Sequence, residues 1–362
     1  MVQYEKFLES GSFDEVYYFT YDDRDQDKLA ELKRNKGVPE NIRALTPPRF
    51  LRSRRGAVIY SIIGPILHYR VISQATALRT QQVSGAWAGL IAKLITGKPL
   101  LFRLGYPLSI RFKTEGRKVK YVMALAIERL LVRFADHVAV TSRAMQTYYA
   151  GSGKSEKVTV LPSYVDVTGF TPITDYAADK PLLFVGRLNE VKNIANLILA
   201  CGRLGVPLDI YGFGPLEEEL KATARACRAT VSFKGVVPNS ELMRAHHDHT
   251  IFVLCSTREG MPKALIEAMA SGLICVVTRT DGALELIEDG VTGHHIDGFD
   301  ADAIERKLRE VLASIDPEIG RRASAFVRKN NSLEHAVELE LKIFDKIIRD
   351  RRQPAPATLK QP

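Results

Sequence analysis

Short apolar runs alternate with amphipathic stretches along most of the chain. In the second half the runs fall at Leu182–Val185, Leu208–Tyr211, Val231–Lys234, Ile251–Cys255, Ile274–Thr278 and Gly293–Ile296. Four to six apolar residues bounded by polar or glycine-rich turns predict buried strands. Between them, apolar positions recur at helical spacing in Asn193–Leu204, Leu216–Cys227, Ser240–His246, Lys263–Ala270, Ala283–Glu288 and Ala301–Ser314. In the first half, strands are predicted at Val16–Thr20, Ala77–Gln81, Leu100–Leu104, His137–Thr141 and Val158–Leu161, and helices at Ser84–Leu94, Val119–Phe134 and Arg143–Tyr149. Strands alternating with helices over short connections predict parallel, doubly wound sheets. The expectation is two Rossmann-like α/β domains, residues 1–170 and 171–331, then a long amphipathic helix over 332–352. Residues 353–362 are rich in Pro and Ala, a composition that favours disorder.

Candidate chemistry concentrates in Ser256–Gly272. A strand ends at Cys255, a glycine-containing turn follows, and Pro262 suits the first turn of a helix, where its missing N–H is not needed. Gly272 closes that helix. A helix N-terminus offers N–H groups and partial positive charge to a phosphate or a polar sugar. Glu259 stands at that mouth, and Glu267 lies two turns further on. Carboxylates repel phosphate and accept hydrogen bonds from hydroxyls, so the pattern suits a molecule carrying both.

The Glu259-Gly-Met-Pro…Glu267-Ala-Met-Ala-Ser-Gly element resembles the donor-site signature of family 4 glycosyltransferases, the glycosyl transferases group 1 of GT-B fold. Leu183-Phe-Val-Gly-Arg187 with Lys192-Asn193, Leu208–Pro215, Val231–Val236 and Gly282–Gly290 agree with that family in order and spacing. The first half agrees more loosely, through Ala135–Ser142 and Val158–Asp166. The resemblance implies two Rossmann-like domains facing a cleft, with the C-terminal helix crossing back to the first. It implies a retaining transfer of a hexose from a UDP- or GDP-sugar to a saccharide or lipid-linked acceptor, as in bacterial surface polysaccharide assembly. The implied catalytic set is Arg187, Lys192 and Glu259. The implied donor-binding set adds Gly186, Gly212, Gly235, Val236, Gly260, Met261, Pro262, Lys263, Ala264 and Glu267, without a metal or other cofactor. On the acceptor side many relatives carry a His after the strand at Leu100–Leu104. Here Arg103-Leu-Gly-Tyr106 stands there, so Arg103 and Tyr106, with Ser142, are the candidates. The family's first domain opens with a strand and a glycine-rich turn. This sequence opens with a helical stretch over Met1–Ser10, so the first strand is expected to be missing or the chain to begin late.

Charge adds a further element. Residues 1–170 carry 26 Lys and Arg against 15 Asp and Glu, whereas residues 171–362 carry 25 against 27. No acidic residue lies between Glu40 and Glu115, and twelve basic ones do. One-signed charge points to an anionic partner such as a membrane surface or a phosphate-bearing acceptor, or to a solvated basic face. Nucleic acid is not favoured, because interleaved aromatics and a recognisable binding motif are lacking. Gly56–Leu67 is apolar, too short to span a bilayer, and flanked by Arg52, Arg54, Arg55 and Arg70; it fits an interfacial segment or a buried helix. The Asp23-x-Asp25 pair mimics a metal motif but suits a solvated loop before a helix over Lys28–Asn35. Cys201, Cys227, Cys255 and Cys275 lack paired spacing and fit reduced core residues of a cytoplasmic protein. The competing readings are a sugar-nucleotide epimerase of similar fold and a non-enzymatic anion-binding protein.

Overall fold

The computed structural model describes residues 1–352 except Asp23, Gln82, Ser84 and 151–154. The expected disordered tail and the first Asp of the Asp-x-Asp pair lie outside the described residues. The chain forms two compact units, Met1–Leu161 with Val337 onward, and Pro162–Ala336.

The first unit contains two separate parallel sheets. One pairs β1 (Val16–Phe19) with β2 (Ile42–Leu45); the other orders β3 (Leu78–Thr80), β4 (Leu100–Leu104), β5 (His137–Val140) and β6 (Val158–Val160) side by side. β2 is not evident in the sequence, because Ile42-Arg-Ala-Leu45 is too short to show alternation, yet Ile42 is fully buried. Among the described strands, β1 pairs only with β2 and β3 only with β4. Val16 N and Thr20 N donate to β2 and its flank, so the alternate backbone groups of Tyr17 and Phe19 turn the other way. β1, β3, Phe7, Gly89 and Phe344 line a cavity of about 710 Å³. The core is divided accordingly. Leu29, Val38 and Ile42 form one apolar cluster, while Phe102, Leu104, Leu131 and Val138 belong to another.

The helix Leu333–Arg352 supplies Glu340 and Phe344 to this unit. Glu340 is fully buried; it accepts from Gln3 Nε2 at 2.6 Å and from the Arg79 guanidinium, and Arg103 Nη1 lies 3.9 Å away. Phe344 meets Phe7 and Phe13 edge-on.

The second unit has a single six-stranded parallel sheet. Its strands are β7 (Leu182–Val185), β8 (Leu208–Tyr211), β9 (Val231–Gly235), β10 (Ile251–Leu254), β11 (Ile274–Thr278) and β12 (His294–Ile296), in the order β12-β11-β10-β7-β8-β9. β10 and β11 are buried along their whole length, as their uninterrupted apolar sequences require when helices cover both faces. One core runs through this unit. The helix Pro317–Asn330, which the apolar pattern does not suggest, covers this sheet's β11 side. Its start was written in the sequence: Asp316 accepts from Glu318 N at 2.9 Å and Pro317 takes the first turn. Among the described residues, no helix is long and apolar enough to cross a membrane.

Candidate functional site

The site assembles at the carboxyl ends of β7, β8, β9 and β10, where parallel sheets place their ligand-binding loops. β7 and β10 are neighbours, with Phe252 opposite Leu183. Their loops therefore leave the sheet side by side, and Thr257 N donates to Val191 O at 2.8 Å. That tie brings Lys192 and Glu259, 67 residues apart, into a 2.5 Å ion pair. Both side chains are mostly buried, and Ser256 Oγ donates to the same Glu259 oxygen at 2.7 Å. Ser256 is fully buried and so fixes the orientation of the carboxylate. Sequence reasoning did not single it out, although its place just after the buried strand was the available signal.

The helix Lys263–Ala270 starts immediately beyond. Its N-cap is Pro262 in extended conformation, with no side-chain cap, one position earlier than the first-turn role expected for that proline. The first-turn N–H groups of Lys263, Ala264 and Leu265 thus have no capping side chain. Gly260 and Met261 form the approach. Gly282 N donates to Glu259 O at 3.3 Å, and a Cβ on Gly282 would sit 2.0 Å from Gly260 O, so only glycine allows this packing. Glu267 is half-buried on the same helix, and burial pushes its carboxyl up to about 7, opposed by the Lys263 charge.

A second close approach lies under β7 and β8. Gly186 N donates to Tyr211 O at 2.9 Å and Gly212 N to Gly235 O at 2.7 Å. Gly212 has φ 139°, and a Cβ there would lie 1.8 Å from Gly186 O. The three glycines expected from the sequence thus stack backbone against backbone. Together with Arg187, Val236, Phe213, Val237 and Leu242 they line a pocket of about 230 Å³. Phe213, Val237 and Leu242 were not anticipated; Phe213, exposed between two glycines, carried a readable signal. Arg187 is exposed at the pocket's edge.

The acceptor candidates lie in the first unit. Arg103 is turned inward towards Glu340 and is 6% exposed, because a buried carboxylate needs cationic partners. Ser142 is also buried, its Oγ accepting from Met145 N at 3.2 Å at the start of the helix Arg143–Ala150. That bond satisfies one of the first backbone N–H groups of the helix. Tyr106 is half-buried in the loop after β4. In the Asp-x-Asp region, Asp25 accepts from Thr20 Oγ1 and Lys28 Nζ at the start of the helix Arg24–Lys36.

Parallel strands, crossover helices, and glycine-lined loops around a cation–carboxylate pair define a GT-B glycosyltransferase. Residues 175–326 match the family described as glycosyl transferases group 1. The chain is 33% identical over 271 residues to the GDP-mannose-dependent alpha-(1-6)-phosphatidylinositol monomannoside mannosyltransferase of Mycolicibacterium smegmatis, covering 67% of this chain and 69% of that protein. It is 30% identical over 317 residues to the amylovoran biosynthesis glycosyltransferase AmsK of Erwinia amylovora, covering 80% and 75%. In fold it is similar to the sucrose-phosphate synthase of Thermosynechococcus elongatus, with a TM-score of 0.79 at 18% identity over 96% of this chain and 92% of that one. The chain belongs to the glycosyl transferases group 1 family, and it is a glycosyltransferase.

Proposed function

We propose that the second unit binds a UDP- or GDP-sugar and that the enzyme moves its hexose, with retention, to a saccharide or lipid-linked acceptor in polysaccharide or glycolipid biosynthesis. The observation that carries the donor site is the Lys192–Glu259 pair beside a helix start without a side-chain cap. An anionic diphosphate draws Lys192 away from Glu259 and leaves that carboxylate to accept from sugar hydroxyls. Arg187 supplies a planar fork for phosphate oxygens, and Glu267 accepts from the ribose hydroxyls. The pocket lined by Gly186, Gly212, Gly235 and Val236 takes the base. In the transfer, the bond from the sugar's anomeric carbon to the diphosphate oxygen breaks and the acceptor hydroxyl forms the new one. Its proton passes to the leaving phosphate. Arg187 and Lys192 stabilise the charge that builds there, an effect worth about 3 kcal/mol per donor by analogy with oxyanion holes.

The names of the mannosyltransferase and AmsK support the polysaccharide and glycolipid setting. An acceptor carried on lipid brings the enzyme to the cytoplasmic face of an anionic membrane. The donor reading is tested by thermal stabilisation with UDP, GDP and ADP, with and without EDTA. One diphosphate at about 100 times its Kd adds about 2.7 kcal/mol of stability. The effect is expected to survive EDTA and to vanish in Glu267→Ala. Absence of stabilisation by any nucleotide sinks the reading.

A further inference from the structure

The apolar stretch at Gly56–Leu67 forms the helix Arg54–Leu67, and its faces are reversed from those of an ordinary surface helix. Its inner face is made of Gly56, Tyr60, Ser61, Gly64 and Pro65, all buried. Tyr60 stacks on Phe19 with ring centroids 4.7 Å apart and donates to Leu45 O at 3.2 Å. Ser61 Oγ accepts from Trp87 Nε1 at 2.9 Å, and a Cβ on Gly64 would lie 2.5 Å from the Phe19 ring. Small residues, Tyr60 and Ser61 of this helix thus face inward. Several of its aliphatic ones do not: Val58, Ile59, Ile62 and Ile66 are each at least 50% exposed, and Phe50, just before the helix, is 77% exposed. Positions 58, 59, 62 and 66 are separated by three or four residues, or by one, so they form a single stripe. A contiguous apolar face of this kind on a folded domain marks an interaction site.

Charge selects the occupant. Of the twelve basic residues between Glu40 and Glu115, Arg79 and Arg103 turn inward to Glu340, Lys93 pairs with Asp136 and Arg111 with Glu115. Arg49, Arg52, Arg55 and Arg70 are exposed, at both ends of the helix. An aliphatic stripe collared by arginine, in a span with no carboxylate from residue 41 to residue 114, complements the boundary of an anionic bilayer. There the aliphatic side chains enter the acyl region and the guanidinium groups stay among the phosphates. The helix Lys118–Phe134 exposes Val119, Val122 and Met123 as well. Its start, however, carries a carboxylate, Glu115, which pairs with both Arg111 and Arg117. We propose that the Arg54–Leu67 helix, with Phe50 ahead of it, is the face by which this enzyme docks on an anionic lipid membrane. This inference stands on the first unit alone and does not depend on the donor site.

Cosedimentation of the full chain with vesicles of pure phosphatidylcholine, and of phosphatidylcholine mixed with phosphatidylglycerol, tests it. Binding is expected to the mixed vesicles, with a sharp decline in high salt. Arg49→Ala and Arg55→Ala are each expected to weaken it about fivefold, since each arginine near an anionic surface contributes about 1 kcal/mol. The double variant Ile59→Glu/Ile66→Glu is expected to abolish insertion. Its positions are solvent-exposed, and an unchanged far-ultraviolet circular dichroism spectrum and melting temperature exclude unfolding. Failure to bind mixed vesicles overturns the proposal, and so does equal binding by the double variant. Concentration-dependent dimerisation that the double variant removes, without vesicle binding, overturns it in favour of a second copy on this face.

Discussion

The two units of this protein have the same ingredients and different coherence. In the second, six strands form one sheet over one continuous core, and its loops lie backbone against backbone at Gly212 and Gly282. In the first, β1 and β2 stand apart from β3–β6, and a cavity of about 710 Å³ lies against the edges of β1 and β3. Its stability leans on polar and aromatic ties carried by a distant segment, with Glu340 gathering Gln3, Arg79 and Arg103. A sheet that pairs every interior strand derives order from its own hydrogen bonds and burial. A divided sheet depends on what is packed around it, and each such tie is correspondingly critical.

The largest expected effect breaks that tie. Glu340→Ala leaves Arg79 and Arg103 without their buried carboxylate, which costs about 3–5 kcal/mol. In denaturant melts monitored by hydrogen exchange, the loss should appear in β3–β5 and leave β10 and β11 unchanged. Equal loss in both units would show that they unfold as one. Next comes Gly212→Ala, which combines an overlap with Gly186 O and an unfavourable φ for about 2–5 kcal/mol. Gly11→Ala in the first unit is the matched control, having φ +70° but open space, and should cost only about 1–2 kcal/mol. Similar costs at the two sites would mean that the packing of the loops after β7 and β8 is not tight.

The smallest effect is in pH. Burial raises the Glu267 carboxyl from its ordinary 4.5 to about 7, so the folded state holds a proton that the unfolded state has released. The associated stability is complete below about 4.5 and is lost as pH rises through about 7. Glu267→Gln should flatten the second unit's stability over that window and leave the first unit's profile unaltered. A slope that persists in the variant assigns it to another group.

Much of the second unit was legible in the sequence. Its strands are short uninterrupted apolar runs, its helices show regular apolar spacing, and Gly212 and Gly282 mark points where only a missing Cβ permits contact. Gly186, Gly212, Gly235, Glu259 and Glu267 were named through the resemblance of their short motifs to those of the family. Ser256 was not, because a serine after a strand has no distinctive neighbour until Glu259 folds back onto it. The inward turn of Arg103 was not legible, because its partner Glu340 reaches it only in the folded chain.

By itself, the sequence determined the alternation of strand and helix, the glycine and carboxylate motifs of the second unit, the one-signed charge of residues 41–114 and the family. Tertiary structure alone decided which basic residues turn inward, which carboxylate receives them, and which face of Arg54–Leu67 meets solvent. Periodicity identifies the stripes of a helix, but not the one that is covered. The covering surface here is Phe19, Leu45 and Trp87, contributed by segments that only folding brings to the same helix.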